Sequence, residues 1–202
     1  MNFLLEQYYI IENYLASGGI VMVPLLTGSG VMWVLIINRL FFFRRLYRKN
    51  MSRERAAQYI REDETPASAD YRGVIAMLVT EFQRRRTGNM EIDRSILDET
   101  VMAVISKLNR HLALVGGIAK ASPLMGLLGT VTGMIATFDI MSVFGTGNAR
   151  AMSAGISEAL ITTQTGLLIA IPGLYAHNFL NRRAENLKRR VSSVGMYLSR
   201  HL

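Results

Sequence analysis

Three long runs without a charged residue constrain this chain more than any other feature of its sequence. They cover residues 13–38, 121–138 and 159–181, with lengths of 26, 18 and 23 residues. A membrane-spanning helix needs about 20 mostly apolar residues. The second run reaches that length when residues 116–120 are included, because the stem of Lys120 can extend along an apolar surface toward an interface. The sequence therefore predicts three transmembrane helices; the alternative for the second run is a buried helix of a soluble protein.

The basic residues are distributed very unevenly around these runs. The chain has 23 Lys+Arg against 15 Asp+Glu, and all the basic residues except Arg150 fall on one side of the three predicted spans. Because loops rich in Lys and Arg stay in the cytoplasm, we predict an N-terminus outside the cytoplasm and a C-terminus inside it. Four arginines next to the first and third spans are candidates for contact with anionic lipid headgroups: Arg44, Arg45, Arg182 and Arg183. The charge thus favours a topology signal over the alternative of a soluble nucleic-acid binder.

The predicted fold is an all-α membrane protein with three transmembrane helices, the second and third extended into a cytoplasmic helical bundle. The predicted segments are a periplasmic or interfacial helix at 1–16, the first transmembrane helix at 17–43, a cytoplasmic helical segment at 44–115, the second transmembrane helix at 116–141, a periplasmic loop at 142–152, the third transmembrane helix at 153–180 and a cytoplasmic tail at 181–202. A frayed terminus is the alternative for residues 1–16.

Helical spacing organises the predicted cytoplasmic segment. We expect helices at 53–61 and 71–86, and a third that starts after the N-cap Asn89 and continues unbroken into the second span. The third span should likewise continue into the cytoplasm as one helix. Three acidic residues near the start of the long helix are expected to be surface charge: Asp93, Asp98 and Glu99. The apolar stripes of these extensions need partners, which favours a bundle and a homo-oligomer.

Small and hydroxyl residues follow one face of each of the last two spans. In the second span Gly126, Thr130, Gly133 and Thr137 share a face, and Gly129 with Gly133 forms a GxxxG pair. Two explanations stay open for such residues, close helix packing or a polar lining. We assign packing to Gly126, Gly129, Gly133, Pro123, Gly166 and Pro172. We assign a proton-pathway or pore lining to Thr130, Thr137, Thr162 and Thr163, together with Glu158.

Glu158 precedes the third uncharged run and is the strongest single candidate for function. A carboxylate within a membrane helix is costly and by default marks an ion or proton path; the alternative is that Glu158 lies just outside the hydrocarbon. The sequence has no cysteine, and we find no nucleophile motif, phosphate-binding loop or paired catalytic carboxylates. We therefore predict no catalytic residue, metal site or cofactor, and a protein that is not an enzyme.

Two segments of the spans resemble the MotA/TolQ/ExbB proton-channel family. Residues 122–135, which read SPLMGLLGTVTGMI, resemble its second-span signature, and residues 155–172, which read GISEALITTQTGLLIAIP, are similar to its third-span signature. Three spans and a cytoplasmic segment of medium length resemble the ExbB and TolQ branches more than MotA, with ExbB the better match. The sequence departs from the common pattern at Ser122 and Gln164. Because Gln164 puts an amide next to Thr163, two neighbouring flanks of the third-span helix stay candidates for the lining face.

The resemblance implies a function and partners. It implies a subunit of a bacterial inner-membrane motor that uses the proton gradient, a homo-oligomer, expected to be a pentamer, and two copies of an ExbD- or TolR-type single-span partner in the pore. That partner would carry the protonatable aspartate, while Thr130, Thr163 and Glu158 match the family's lining residues. An ExbB-like subunit would drive a TonB-type protein for nutrient uptake and a TolQ-like one the Tol–Pal system. An alternative of another class is a non-conducting membrane scaffold.

Overall fold

The structure of the chain, a computed structural model, describes residues 18–47, 51–64, 66, 71, 73–145 and 149–200, except the side chains of 149 and 151. The predicted N-terminal helix at 1–16 lies outside the described residues, as do residues 146–148 of the predicted loop. The described secondary structure is helical. Its helices are α1 (Met22–Tyr47), α2 (Arg53–Arg61), α3 (Val74–Gln83), α4 (Met90–Asn109), α5 (Leu112–Phe144) and α6 (Ala149–Ser199).

Three helical stretches are long and apolar enough to cross a membrane. They are Met22–Tyr47, Met90–Phe144 and Met152–Ser199. The first includes residues 22–38 of the first uncharged run, and the other two contain the second and third runs in full. Their surfaces fit that environment, because large apolar side chains such as Leu127, Ile135 and Ile171 are 59%, 55% and 68% exposed in the single chain. Exposed apolar surface on this scale requires lipid or other protein chains to cover it. The protein is therefore a multi-pass membrane protein whose described secondary structure is all helical.

The chain divides into two compact units. The first, called the span unit, contains residues 18–35 and 114–177 of the described chain, and the second, called the extension unit, contains residues 36–113 and 178–200. In the span unit, α1, α5 and α6 meet at Gly173, where an added Cβ would lie 2.7 Å from Met32 Sδ and 3.1 Å from Ala119 Cβ. A side chain at this position would push the three helices apart.

Large apolar side chains form the core of the extension unit. Its fully buried members include Leu78 and Phe82 of α3, Leu97 and Val104 of α4, and Val191 of α6. The predicted apolar stripes of α4 and α6 are thus largely covered within one chain, so they are not by themselves an argument for oligomerisation. Close approach helps here too, since an added Cβ at Gly195 of α6 would lie 2.6 Å from Val101 Cγ2.

Local signals explain the start and end of the short helices. Ser52 accepts a hydrogen bond from the Arg55 amide, which satisfies one free donor at the start of α2, and the chain turns at Asp63 with a φ of 53°. The predicted helix at 53–61 is confirmed. The helix predicted at 71–86 is shorter, at Val74–Gln83. Asn89 caps α4 as predicted, with its side chain accepting from the Glu91 amide at 3.1 Å.

The predicted continuous helix from Met90 into the second span is wrong. Helix α4 ends at Asn109, Arg110 is extended, and His111 has a φ of 66° before α5 begins at Leu112. A residue in the left-handed conformation cannot continue a right-handed helix, and a residue that has a Cβ adopts this conformation at a steric cost. By contrast, the prediction that the third span continues as one helix is confirmed, because α6 is unbroken over 51 residues.

Asp93 corrects a second prediction, since it is buried rather than a surface charge. Its side chain is 2% exposed and accepts hydrogen bonds from Thr87 N (2.8 Å), Thr87 Oγ1 (3.0 Å) and Gly88 N (3.2 Å). Arg86 Nε adds an ion pair at 3.3 Å. Burial alone would raise the pKa of Asp93, but these four donors outweigh it and hold the pKa below its ordinary value. Asp98 and Glu99 are exposed, as predicted.

Candidate functional site

Helices α5 and α6 of the span unit pack with their backbones in close contact. An added Cβ at Gly133 would lie 2.8 Å from the Gly155 carbonyl oxygen, and one at Gly166 would lie 2.6 Å from the Ser122 carbonyl oxygen. An added Cβ at Gly126 would lie 3.0 Å from the Thr162 carbonyl oxygen. Backbone atoms cannot move aside as a flexible side chain can, so these positions require glycine for the helices to approach this closely.

The other residues assigned to packing differ in how deeply they are buried. Gly129 is buried against the Thr162 side chain. Pro123 is half-buried inside α5, and Pro172 is exposed inside α6. Ser122 and Gly155 complete the contact between the two helices, although the assignment above omits them. Both could have been found from the sequence, because they lie one helical turn from Gly126 and Ala159 respectively.

Thr137 and Thr162 lie between α5 and α6 rather than on an exposed wall. They are 3% and 0% exposed. Thr137 Oγ1 donates to the Gly133 carbonyl at 2.9 Å, and Thr162 Oγ1 donates to the carbonyls of Glu158 and Ala159 at 3.1 and 3.0 Å. Each hydroxyl is therefore satisfied by its own helix and contributes bulk to the contact. We withdraw both residues from the predicted lining.

Thr130 and Thr163 remain half-buried, at the edge of the same contact. Thr163 Oγ1 lies 3.1 Å from the Gly126 carbonyl across the helix pair and 3.2 Å from the Ala159 carbonyl of its own helix. Thr130 is one helical turn after Gly126, and its Oγ1 donates to the Leu127 carbonyl at 2.6 Å. Such a hydroxyl can accept a hydrogen bond from a protonated acid, or rotate and donate to a carboxylate.

Glu158 is half-buried, one helical turn before Thr162, with its side chain against the turn that precedes α1. Gly19 lies in that turn with a φ of 62°, and an added Cβ there would lie 2.6 Å from Glu158 Cδ. Gly19 is a residue that sequence reasoning missed, although its position next to Gly18 was the available signal. Across the described part of the chain, no basic side chain lies within 4.0 Å of the Glu158 carboxylate.

The arginines assigned to lipid headgroups are exposed. Arg44, Arg45, Arg182 and Arg183 all lie on the surface of the extension unit. The Arg183 guanidinium lies over the rings of Tyr47 and Phe179, at 4.8 and 5.1 Å from their centroids. With Arg44 these residues line a mostly apolar cavity of about 350 Å³. Aromatic rings beside cations are typical of the boundary between hydrocarbon and headgroups.

The fold and this site together define a multi-pass membrane protein whose candidate site combines hydroxyl groups with the carboxylate of Glu158. Residues 70–193 match the MotA/TolQ/ExbB proton channel family. The chain therefore belongs to that family, which confirms the resemblance found in the sequence.

Curated relatives include proteins of both the ExbB and TolQ type. A putative biopolymer transport protein, ExbB-like 3, of Synechocystis is 33% identical over 80% of this chain and 80% of its own. Biopolymer transport protein ExbB of Salmonella typhimurium is 28% identical over 86% of this chain and 77% of its own. Tol-Pal system protein TolQ of Haemophilus influenzae is 31% identical over 54% of this chain and 51% of its own.

Proposed function

We propose that this chain forms the proton channel of a bacterial inner-membrane motor and that Thr130, Thr163 and Glu158 line its proton path. The observation that carries the proposal is the position of the two threonines. Both are half-buried at the edge of a helix contact whose interior is filled by glycine, Thr137 and Thr162. Their hydroxyls can therefore be reached by a partner helix without separating α5 from α6.

The chemistry of these residues supports proton transfer with an acid on another chain. A hydroxyl adds hydrogen-bonding capacity without a fixed charge, so a neighbouring carboxyl group can be protonated or ionised at modest cost. Glu158 adds one carboxylate on α6, one helical turn before Thr162, with its side chain against the turn that precedes α1. No basic side chain among the described residues pairs with it, so its carboxylate oxygens are available to donors on a partner helix.

The assembly follows from the family resemblance. We propose a homo-oligomer, as a pentamer, around two copies of an ExbD- or TolR-type single-span protein that carries an aspartate. The exposed apolar side chains of the span unit, such as Leu160 and Leu168 at 65% and 61% exposure, support contacts with further helices and with lipid. The proposed location is the bacterial inner membrane.

Within the family we propose an ExbB-like role, in which the motor acts on a TonB-type protein for outer-membrane nutrient uptake. The relatives named ExbB that cover most of this chain support it. A TolQ-like role in the Tol–Pal system is the second candidate, supported by the TolQ relative. Deletion of the gene separates them: loss of TonB-dependent iron uptake supports the first role, and detergent sensitivity with normal iron uptake supports the second.

Proton flux tests the lining residues directly. We expect Thr163→Ala and Thr130→Ala to reduce proton flux by at least about tenfold in liposomes that contain the chain with its single-span partner, because each removes a hydroxyl that serves a transferring proton. Thr132→Ala is the matched control, since Thr132 is also a half-buried threonine of α5 but lies two residues from Thr130, on the other side of the helix. Unchanged flux in both lining variants would remove them from the path. Wild-type liposomes without any flux would favour the scaffold alternative.

A further inference from the structure

Arg39 is a buried cation whose hydrogen-bonding capacity is mostly unused. Its side chain lies on α1 in the extension unit and is 4% exposed. Nη1 donates to the Lys107 carbonyl oxygen at 3.3 Å, while Nε and Nη2 are buried without an acceptor in the described part of the chain. Burying a guanidinium is costly unless its charge and its donors are compensated. Arg39 is therefore a buried cation with two donors for which the described residues supply no acceptor.

Arg39 also lines a cavity of about 270 Å³ in which positive charge is concentrated. The other lining residues are Asn38, Phe42, Lys107, Arg110 and His111. The Arg39 guanidinium lies 5.0 Å from the centroid of the Phe42 ring, which orients it without neutralising it.

Among the described carboxylates, one lies near a cation of this cavity. Glu81 Oε2 lies 3.6 Å from Lys107 Nζ, and the same carboxylate also serves Arg85 at 3.7 Å. Among the described residues, no carboxylate lies within 4.0 Å of Arg39 or Arg110. The cavity thus keeps a net positive charge after its internal pairing.

The backbone beside the cavity is held in an uncommon conformation. Arg110 ends α4, and His111 follows with a φ of 66°. Because α4 ends here, the Lys107 carbonyl has no backbone donor within the helix, and it accepts a hydrogen bond from Arg39 instead. His111, the left-handed residue, therefore lines the same cavity as Arg39 and Arg110. Strained residues of this kind are concentrated at binding sites.

We propose that this cavity binds a phosphate oxyanion, carried by an anionic lipid headgroup or present as free phosphate. Arginine is the side chain best suited to phosphate, because its planar fork can make two parallel charge-assisted hydrogen bonds. Arg39 directly follows the uncharged run 13–38, which is the position where a span meets the headgroup region. The proposal does not depend on proton conduction.

Binding to the purified full-length chain tests the proposal in two arms. In the first, native mass spectrometry counts the lipids retained after incubation with dioleoyl phosphatidylglycerol or with dioleoyl phosphatidylcholine. In the second, thermal unfolding is compared in inorganic phosphate and in chloride at equal ionic strength. We expect Arg39→Gln and Arg110→Gln to weaken anion binding by about tenfold, the value of one charge-assisted hydrogen bond. Arg94→Gln is the matched control, because Arg94 is an exposed arginine of α4 that does not line the cavity.

The outcomes separate the sources and can overturn the proposal. Selective retention of phosphatidylglycerol identifies a headgroup, and stabilisation by phosphate without lipid selectivity identifies a free ion. Absence of anion binding in both arms overturns the proposal, as does binding that both variants retain. Dissociation of an oligomer by Arg39→Gln, without anion binding in the wild type, would instead assign the partner to a carboxylate of another copy. Should Arg39→Gln fail to fold, Arg110→Gln decides, because Arg110 is exposed.

Discussion

The interiors of the two units are filled by different types of residue. In the span unit, α5 and α6 meet through glycine and buried threonine, and the nearest neighbours of Gly133 and Gly166 are backbone oxygens. In the extension unit, the corresponding space is filled by large side chains such as Phe82 and Leu97, both 0% exposed. One unit is stabilised by close approach and the other by apolar volume.

The surroundings predicted for the two units, lipid for the span unit and water for the extension unit, account for the difference. Lipid tails are as apolar as leucine, so an apolar side chain gains little by leaving lipid for a helix contact, and close packing must stabilise the pair. In water, burial of the same side chain contributes about 25 cal/mol per Å². The two units should therefore respond in opposite ways to removal and addition of volume.

Removing volume should have its largest effect in the extension unit. Phe82→Ala deletes a fully buried ring of α3 and should lower the free energy of unfolding by about 3–5 kcal/mol, through lost burial and the cavity that remains. Chemical denaturation monitored by circular dichroism measures it. Met102→Ala, at a 69% exposed position of α4, should change stability by less than about 0.5 kcal/mol. Equal effects of the two variants would contradict the described core.

Adding volume should be the damaging change in the span unit. Gly166→Val places a side chain against the Ser122 carbonyl, with an added Cβ at 2.6 Å, and should cost about 1–3 kcal/mol or separate α5 from α6. The melting temperature in detergent is the measurement. Gly117→Val makes the same change where an added Cβ meets nothing within 4 Å. A melting temperature that falls equally in both variants would show that helix propensity, and not the contact, is responsible.

A third expected effect concerns charge and belongs to the extension unit alone. Asp93→Asn keeps the shape but loses charge-assisted acceptors for Thr87, Gly88 and Arg86, and should cost about 1.5–3 kcal/mol at neutral pH. Because the pKa of Asp93 is lowered in the folded chain, this stabilisation is complete above the ordinary pKa of about 4 and is lost as the pH falls through the folded value.

The pH dependence of unfolding checks the sign of that effect. The difference in stability between wild type and Asp93→Asn should be constant from pH 7 to about pH 5 and shrink below about pH 4. Asp98→Asn is the control, since Asp98 is exposed on the same helix. A difference that grows as the pH falls would mean that the buried carboxyl group is protonated in the folded chain.

Much of the helical organisation could be predicted from the sequence, because its signals are local. The limits of α2 follow from Ser52 at the start and Asp63 at the end, and the cap at Asn89 follows from its side-chain oxygen. Three spans follow from hydropathy, since a chain in lipid must satisfy its backbone within each helix.

The break at His111 and the burial of Asp93 could not be predicted in the same way. A left-handed residue is usually glycine or asparagine, and neither Arg110 nor His111 signals one. Asp93 does have a signal in hindsight, because it lies one turn before Leu97 on the buried stripe of α4. Its donors, however, come from the preceding turn, so only the folded chain shows why a carboxylate belongs there.

The candidate site was predicted in its residue types but not in their placement. Helical spacing puts Thr130 and Thr137 on one side of α5, yet Thr137 is 3% exposed and Thr130 is half-buried. Spacing gives the direction of a side chain around one helix and carries no information on which neighbour lies there. Thr137 is buried because Gly155 of α6 lies against it.

The hydroxyls that bond to their own helix also bear on how the chain enters a membrane during synthesis. Ser122, Thr137 and Thr165 each donate to a carbonyl four residues earlier, at 2.8 to 2.9 Å. Once a helix has formed, these donors no longer require water, and the threonine methyl groups remain as hydrocarbon surface. During insertion such a segment should partition as a more lipid-soluble helix than a residue-by-residue sum of its side chains would indicate.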